Sequence, residues 1–377
     1  MRTAFVIAAL FLPASVCIGQ EAEREKYRPM IDKGLGWLVK QQMKDGEWSD
    51  NSYNPAATTA VAGIALLADG NTTSQGTYRD NVKKAVGWFL KQKPKAELHQ
   101  GLLCDPEEPR NSGRYMLQHG LAMSFLAKAY SEEEDRDTRL AVRDHLNAAV
   151  AFAVKGQSSR GAWFYTSKVE GHDSDENVAT MLVLQGLLDA REAGIAVPRD
   201  ALKKAWDHLK ACTTEKGGIT YSGPGRGIGG LGRPEKAPAG GERPTITAMA
   251  LAAVMARGDG GLEEHQRRWL AFCADSAALK PDTLRDNFDL LPTCFFCKVV
   301  YHNTERHWKL AAGDKKLPEH MVWKSYRTAA FAHLQCAQRE DGAIASKSGW
   351  ALGPNFNTAL ALNILLYEDS VPSPISR

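Results

Sequence analysis

Gln42-Met43-Lys44-Asp45-Gly46-Glu47-Trp48 and Gln157-Ser158-Ser159-Arg160-Gly161-Ala162-Trp163 are two copies of one pattern, Gln-x3-Gly-x-Trp. Trp37 and Phe152 stand five residues ahead of the two glutamines, and Gln338-x3-Gly342-x-Ile344 is a weaker third copy. A helix that runs into Gln, a Gly turn and an aromatic is a structural module. Modules that recur at long period set architecture before any single site does.

Working outward, comparable helices carry Trp37, Trp88, Phe152, Trp206, Trp269 and, by position, His333. They lie about 50–65 residues apart, which suits a helix pair with its connections. Lys33, Lys40, Lys83, Lys84, Lys91, Lys203 and Lys204 mark solvated faces on these helices. Each is followed by a second helix rich in small residues. These start near Thr58 behind Asn54-Pro55, and from His119, Asn177, Pro244 and Asn357, with a less regular one around Phe288 to Tyr301. Asn54 reads as an N-cap with Pro55 in the first turn. A helix apolar most of the way round is buried on most sides. Wetted first helices and buried second helices therefore predict an all-α fold: a single α/α toroid of about six helical hairpins in two concentric rings. An open solenoid has the same local pattern.

The Gln-x3-Gly-x-Trp modules and Thr-rich small-residue helices resemble the squalene/terpenoid cyclase and protein prenyltransferase repeat superfamily. Tyr115-Met116-Leu117-Gln118-His119-Gly120 and Gly194-Ile195-Ala196-Val197-Pro198 are similar to exported bacterial members of unassigned function. The resemblance spans roughly residues 26–368. It implies the toroid, but the same fold hosts unrelated chemistries, so activity has to be argued from a site.

Asp173-Ser174-Asp175-Glu176 is the sharpest catalytic candidate. The resemblance makes Asp175 the acid of a class II cyclase motif, with Asp173 and Glu176 supporting it. Glu176 replaces the family's last Asp, and the run also reads as an ordinary acidic helix start. The family's two-domain cyclases are longer than this chain, which argues against cyclase activity, and the prenyltransferase Asp-x-Cys zinc pair is absent. Tyr115, His119, Trp163 and Tyr165 are the candidate ligand-binding residues near inner-ring ends. His119 among small apolar residues also reads as a core histidine, and Trp48 and Trp163 as contacts between repeats. Asp105, Glu107 and Glu108 before Pro109 suit either a glycosidase pair or a solvated turn.

Cys294-x2-Cys297 with His302 and His307 lies too close together for a zinc finger. Gly225-x-Gly227-x-x-Gly230 matches a dinucleotide fingerprint but lacks the strand before it and the helix after it. It falls in a Gly/Pro-rich segment, 223–243, that reads as a flexible loop. No cofactor is implied.

Residues 1–19 read as a signal peptide: Arg2, the apolar run Ala4 to Leu12, then small residues, with cleavage after Gly19. Cys17 offers lipoprotein processing as the alternative. The mature chain is then exported, periplasmic or extracellular, with no integral membrane segment. The 47 basic and 44 acidic residues nearly balance, which excludes a nucleic-acid footprint. Six mature cysteines suit either bridges or buried thiols. The functional expectation is a repeat protein that binds a hydrophobic ligand such as an isoprenoid, a polymeric ligand or a protein partner in the toroid mouth. The alternatives are a class II terpenoid cyclase and a carbohydrate-active toroid. Oligomeric state stays open.

Overall fold

The computed structural model describes residues 14–50, 54–111, 113–223, 241–257, 261–281, 289–345 and 353–371. Helix α1 (Ala14–Lys40) pairs with α2 (Pro55–Ala68), α3 (Arg79–Leu90) with α4 (Tyr115–Glu132), and α5 (Arg136–Lys155) with α6 (Asn177–Glu192). Next come α7 (Arg199–Ala211) with α8 (Pro244–Arg257) and α9 (Glu263–Asp275) with α10 (Leu290–His302). A short extra helix, α11 (Glu305–Ala312), precedes the sixth pair, α12 (Trp323–Ala337) and α13 (Pro354–Leu365), and α14 (Tyr367–Ser370) follows. Among the described residues there are isolated β-bridges and no strand.

The second helices pack in the order α2, α4, α6, α8, α10, α13, and α13 packs back on α2. The toroid is therefore closed, with six inner helices. Their small residues let backbones approach: a Cβ on Gly120 would stand 2.5 Å from the Leu182 carbonyl.

The repeated module explains closure. The side-chain amide of Gln42 donates to its own turn at Gly46 O (2.9 Å) and to Asn81 O on α3 (3.0 Å). Gln157 donates to Gly161 O and to Ala201 O on α7. Gln338 donates to Gly342 O and to Met30 O on α1, so one bond type joins neighbouring repeats and also joins the last repeat to the first. Gly342 has φ +105, and a Cβ there would meet Lys33 O at 2.4 Å. Gly101 and Gly217 make the same close approach to the next outer helix with Glu97 and Thr213, not Gln, four residues ahead, so these two copies are invisible as sequence.

A second bond ties outer to inner helix within four of the six repeats. The backbone N–H of Trp48, Trp163, Ile219 and Ile344 donates to Thr59, Thr180, Thr247 and Thr358. The indoles of Trp48 and Trp163 donate to Leu38 O and Ala153 O at the ends of their own outer helices. The hydrogen bonds of these tryptophans stay within a repeat, and glutamine supplies the hydrogen bond from one repeat to the next. The Asn54 expectation is corrected. Asn54 lies in the left-handed region (φ 47) and makes no side-chain cap.

Most of the expected 223–243 loop, with its Gly225-x-Gly227-x-x-Gly230 match, lies outside the described residues, as do Met1–Pro13 of the expected signal. Among the described cysteines all are free, and Cys336 alone is exposed. No described helix is long and apolar enough to cross a membrane.

Candidate functional site

The closed inner ring has two mouths. One is framed by the N-terminal ends of the inner helices, where each long connection from an outer helix arrives. All six carboxylates singled out in the sequence (Asp105, Glu107, Glu108, Asp173, Asp175 and Glu176) lie in connections at this end.

The acidic run at α6 does not converge. Asp173 accepts from Ser159 N (2.7 Å) and Ser159 Oγ (2.6 Å) and is largely solvated. Asp175 is buried in an ion pair with Arg160 and accepts from Gly223 N (2.8 Å). Glu176 caps α6, accepting from Val178 N and Ala179 N. Burial pushes the Glu176 carboxyl up to about 7, against the pull of those two amides. Three neighbouring carboxyls thus have three separate partners, and none lines a described cavity.

His119 is fully buried. Its Nδ1 accepts from Leu103 N (3.2 Å) and its Nε2–H donates to Ala149 O (3.1 Å). It fills the place that threonine holds in the other repeats, and burial lowers it to about 4, so the ring is neutral. Trp163 is likewise a structural tie. The Tyr115 hydroxyl accepts from Ser167 N (2.7 Å), and burial raises its pKa. Tyr165 reaches the mouth: its hydroxyl bonds that of Tyr221, with the Arg114 guanidinium 4.9 Å from its ring centroid. Arg243 lies 5.6 Å from the Tyr221 ring centroid in the same way. Of the four expected ligand-binding residues, the structure brings Tyr165 to the mouth and puts the other three into the framework.

A different set of residues gathers beside α13, α2 and α4. Buried side-chain atoms without a hydrogen-bond partner concentrate there: Glu47 Oε2, Ser49 Oγ, Thr58 Oγ1, Asn111 Oδ1, both amide atoms of Gln118, and Asn355 Oδ1. These are seven of the thirteen such atoms among the described residues, so over half fall in one sector. The sector is continuous. Asn355 Nδ2 donates to Ser49 O, Asn355 N and Phe356 N donate to Asp50, and Asn54 N donates to Arg110 O. Arg110 pairs with Glu47 Oε1 (2.5 Å) and Glu108 Oε1 (2.9 Å). Burial raises the Glu47 carboxyl despite Arg110, and raises Asp50. Thr58 and Gln118 lie three residues before Val61 and Leu121, so they share their faces one turn nearer this mouth. An orphaned buried amide costs about 1–3 kcal/mol per atom, and a native fold keeps such groups where something else uses them. The left-handed Asn54, the one described non-glycine residue with positive φ, borders the same cluster.

Sequence reasoning missed Glu47, Ser49, Thr58, Gln118 and Asn355. Gln118 carried a signal: it is an amide on the lumen face of an otherwise apolar inner helix. Of the loop carboxylates, Glu108 belongs to the cluster through Arg110.

No protein-family model matches the chain, and no curated protein matches it. Solved structures do. An inactive α-1,6-mannanase GH76A variant of Salegentibacter sp. HEL1_6, in complex with α-1,6-mannotriose, aligns with TM-score 0.55 and 11% identity, covering 91% of this chain and 98% of that one. A type II terpene cyclase, an MstE variant from Scytonema in complex with geranylgeranyl dihydroxybenzoate, gives 0.54 and 14%, covering 92% and 98%. A D-mannose isomerase gives 0.55 and 10%, covering 91% and 98%. At these identities the likeness is one of fold. It does overturn the length argument against a cyclase, since that cyclase chain is matched over nearly its whole length.

Proposed function

We propose that the chain is a carbohydrate-active α/α toroid that takes a polyhydroxylated polymer at the N-terminal mouth of its inner ring. One observation carries this reading: the seven unpartnered polar atoms gathered around Glu47, Thr58, Gln118 and Asn355. Sugar hydroxyls both donate and accept. They suit a wall that offers carboxylate and amide oxygens, hydroxyls and one amide N–H pair. Tyr165 and Tyr221 add aromatic faces at the same mouth, and Arg114 and Arg243 add donors.

For catalysis the candidates are Glu47 and Glu108, two carboxyls sharing Arg110. Glycoside hydrolysis uses a pair of carboxyls flanking the scissile bond. Glu47 is buried with Oε2 free, and Glu108 is partly exposed. The fold likeness to a mannanase and a mannose isomerase supports a sugar ligand more than an isoprenoid. That mannanase is inactive when two consecutive aspartates are replaced. Glu107-Glu108 and Asp175-Glu176 are the consecutive acidic pairs at this mouth. The cyclase alternative needs Asp175 facing a cavity, whereas it sits in an ion pair with Arg160. The signal-like pattern of residues 1–19 supports an exported compartment for the proposed activity. A secreted protein beginning at Gln20 would support that placement, and retention of Met1 would refute it.

The test is calorimetric titration with α-1,6-manno-, xylo- and cello-oligosaccharides, followed by a reducing-sugar assay. The reading expects one class to bind and Glu47→Gln to abolish turnover. If no oligosaccharide binds, or if Glu47→Gln is as active as wild type, the proposal fails.

A further inference from the structure

The other end of the ring holds a separate cavity of ≈ 310 Å³ along the lumen axis. Leu291 and Phe356, near the N-terminal ends of α10 and α13, form its floor, and Val61, Leu121, Leu182 and Leu360 form its wall. The last turns of α6, α8 and α10 form its rim, which opens into a vestibule of ≈ 600 Å³. Its rim lies at the end of the ring away from the polar cluster, while its inner end, at Val61, Leu121 and Phe356, comes within about one turn of Thr58, Gln118 and Asn355.

The charges at the neck are not balanced. Arg257 is held by Asp189 (2.5 Å) and Glu192 (2.8 Å). The other two cations lining the cavity are Lys128 and Lys298. Neither has a carboxylate partner among the described residues. Lys298 is half-buried, and its ammonium stands 5.1 Å from the Phe295 ring centroid and 5.4 Å from that of Tyr367. Aromatic faces hold a cation in place without neutralising it. The vestibule adds the carboxylates Glu132, Glu134 and Asp369, none of which lines the cavity itself. The cavity's inner part is apolar, at Val61, Leu121, Leu182, Leu291, Phe356 and Leu360, and its polar and charged groups, among them Gln185, Asp189 and Lys298, lie toward the rim, an arrangement that suits an alkyl chain with a polar head; its size falls within that of small-ligand sites.

We propose that this lumen binds a single-chain anionic amphiphile, with its alkyl chain on Leu121, Leu182 and Leu360 and its acidic head on Lys298. The site is independent of the sugar site at the opposite mouth.

Dodecanoate, dodecanol and dodecyltrimethylammonium would be titrated calorimetrically into the intact chain. The expected result is that dodecanoate binds at least tenfold tighter than the other two. Lys298→Met, which keeps the stem and removes the charge, is expected to erase that difference while leaving dodecanol unchanged. Ala252→Trp, and separately Ser124→Phe, should fill the shaft and remove all binding, with circular dichroism confirming the fold. Glu47→Gln should leave dodecanoate affinity intact, which separates this proposal from the sugar reading. No binding by wild type, equal affinity for the three probes, or an unchanged preference in Lys298→Met would each overturn it.

Discussion

Replacing Gln118 with leucine is expected to stabilise the protein and disable its sugar site together. Gln118 is 1% exposed, and neither atom of its amide has a hydrogen-bond partner. Each orphaned atom costs about 1–3 kcal/mol of desolvation, while the packing change from Gln to Leu costs less than about 1.5 kcal/mol. The expected net gain is about 1–4 kcal/mol, which is large against a total stability of about 5–15 kcal/mol. Urea unfolding followed by far-UV circular dichroism measures it, with an unchanged slope showing that the transition stayed comparable. The same variant should lose oligosaccharide affinity by about tenfold or more, since each hydrogen bond to a sugar is worth about 1 kcal/mol and two atoms are removed. A loss of stability greater than about 1 kcal/mol would refute the reasoning, because it would mean that the amide is satisfied in the free protein.

Gln338→Ala removes the bonds to Met30 O and Gly342 O and is expected to cost about 1–3 kcal/mol in urea unfolding, with faster amide exchange where α12 meets α1. Confinement of that faster exchange to the Gly342 turn would count against the closure bond. Thr180→Val keeps the shape but leaves Trp163 N–H unpaired, at a cost of about 1–3 kcal/mol by thermal or urea melting; a neutral result would mean that the tie carries no weight. Burial pushes the Glu176 carboxyl up to about 7 in the folded chain from an ordinary 4.5, so the folded state binds its proton more tightly than the unfolded chain does. Its contribution is fully present below about 4.5 and is lost as pH rises through about 7, a loss of up to ~3 kcal/mol. Unfolding of wild type and Glu176→Gln at pH 5 and pH 8 checks this. The variant should be less sensitive to alkaline pH, and identical profiles would contradict the assignment.

The architecture was legible because the Gln-x3-Gly-x-Trp copies encode a physical joint: an amide long enough to reach the next outer helix, and a turn too tight for a Cβ. Copies at Gly101 and Gly217 keep the tight turn but lack the glutamine, so they left no pattern to read. The thread of threonines was visible as composition, but its partner amides were not, since Thr59 and Trp48 meet only in three dimensions. His119 looked like a site residue because histidine among alanines is unusual. The structure gives it a threonine's place, with both nitrogens engaged. The candidate site was the least legible. Glu47 and Thr58, Gln118, and Asn355 come from three different repeats, and what marks them is the absence of a partner, which a linear chain does not display. The acidic run at Asp173 to Glu176 misled for the converse reason: adjacency in sequence put its carboxyls on three different partners.

Hydrogen–deuterium exchange of the intact chain, with and without a saturating oligosaccharide that calorimetry has shown to bind, locates the ligand most directly. The account predicts protection around Glu47 to Ser49, Asn54 to Thr58, Asn111 to Gln118 and Asn355, with α10 near Lys298 unchanged. Protection confined to the Lys298 end of the ring, or absent from the Gln118 turn, would contradict it.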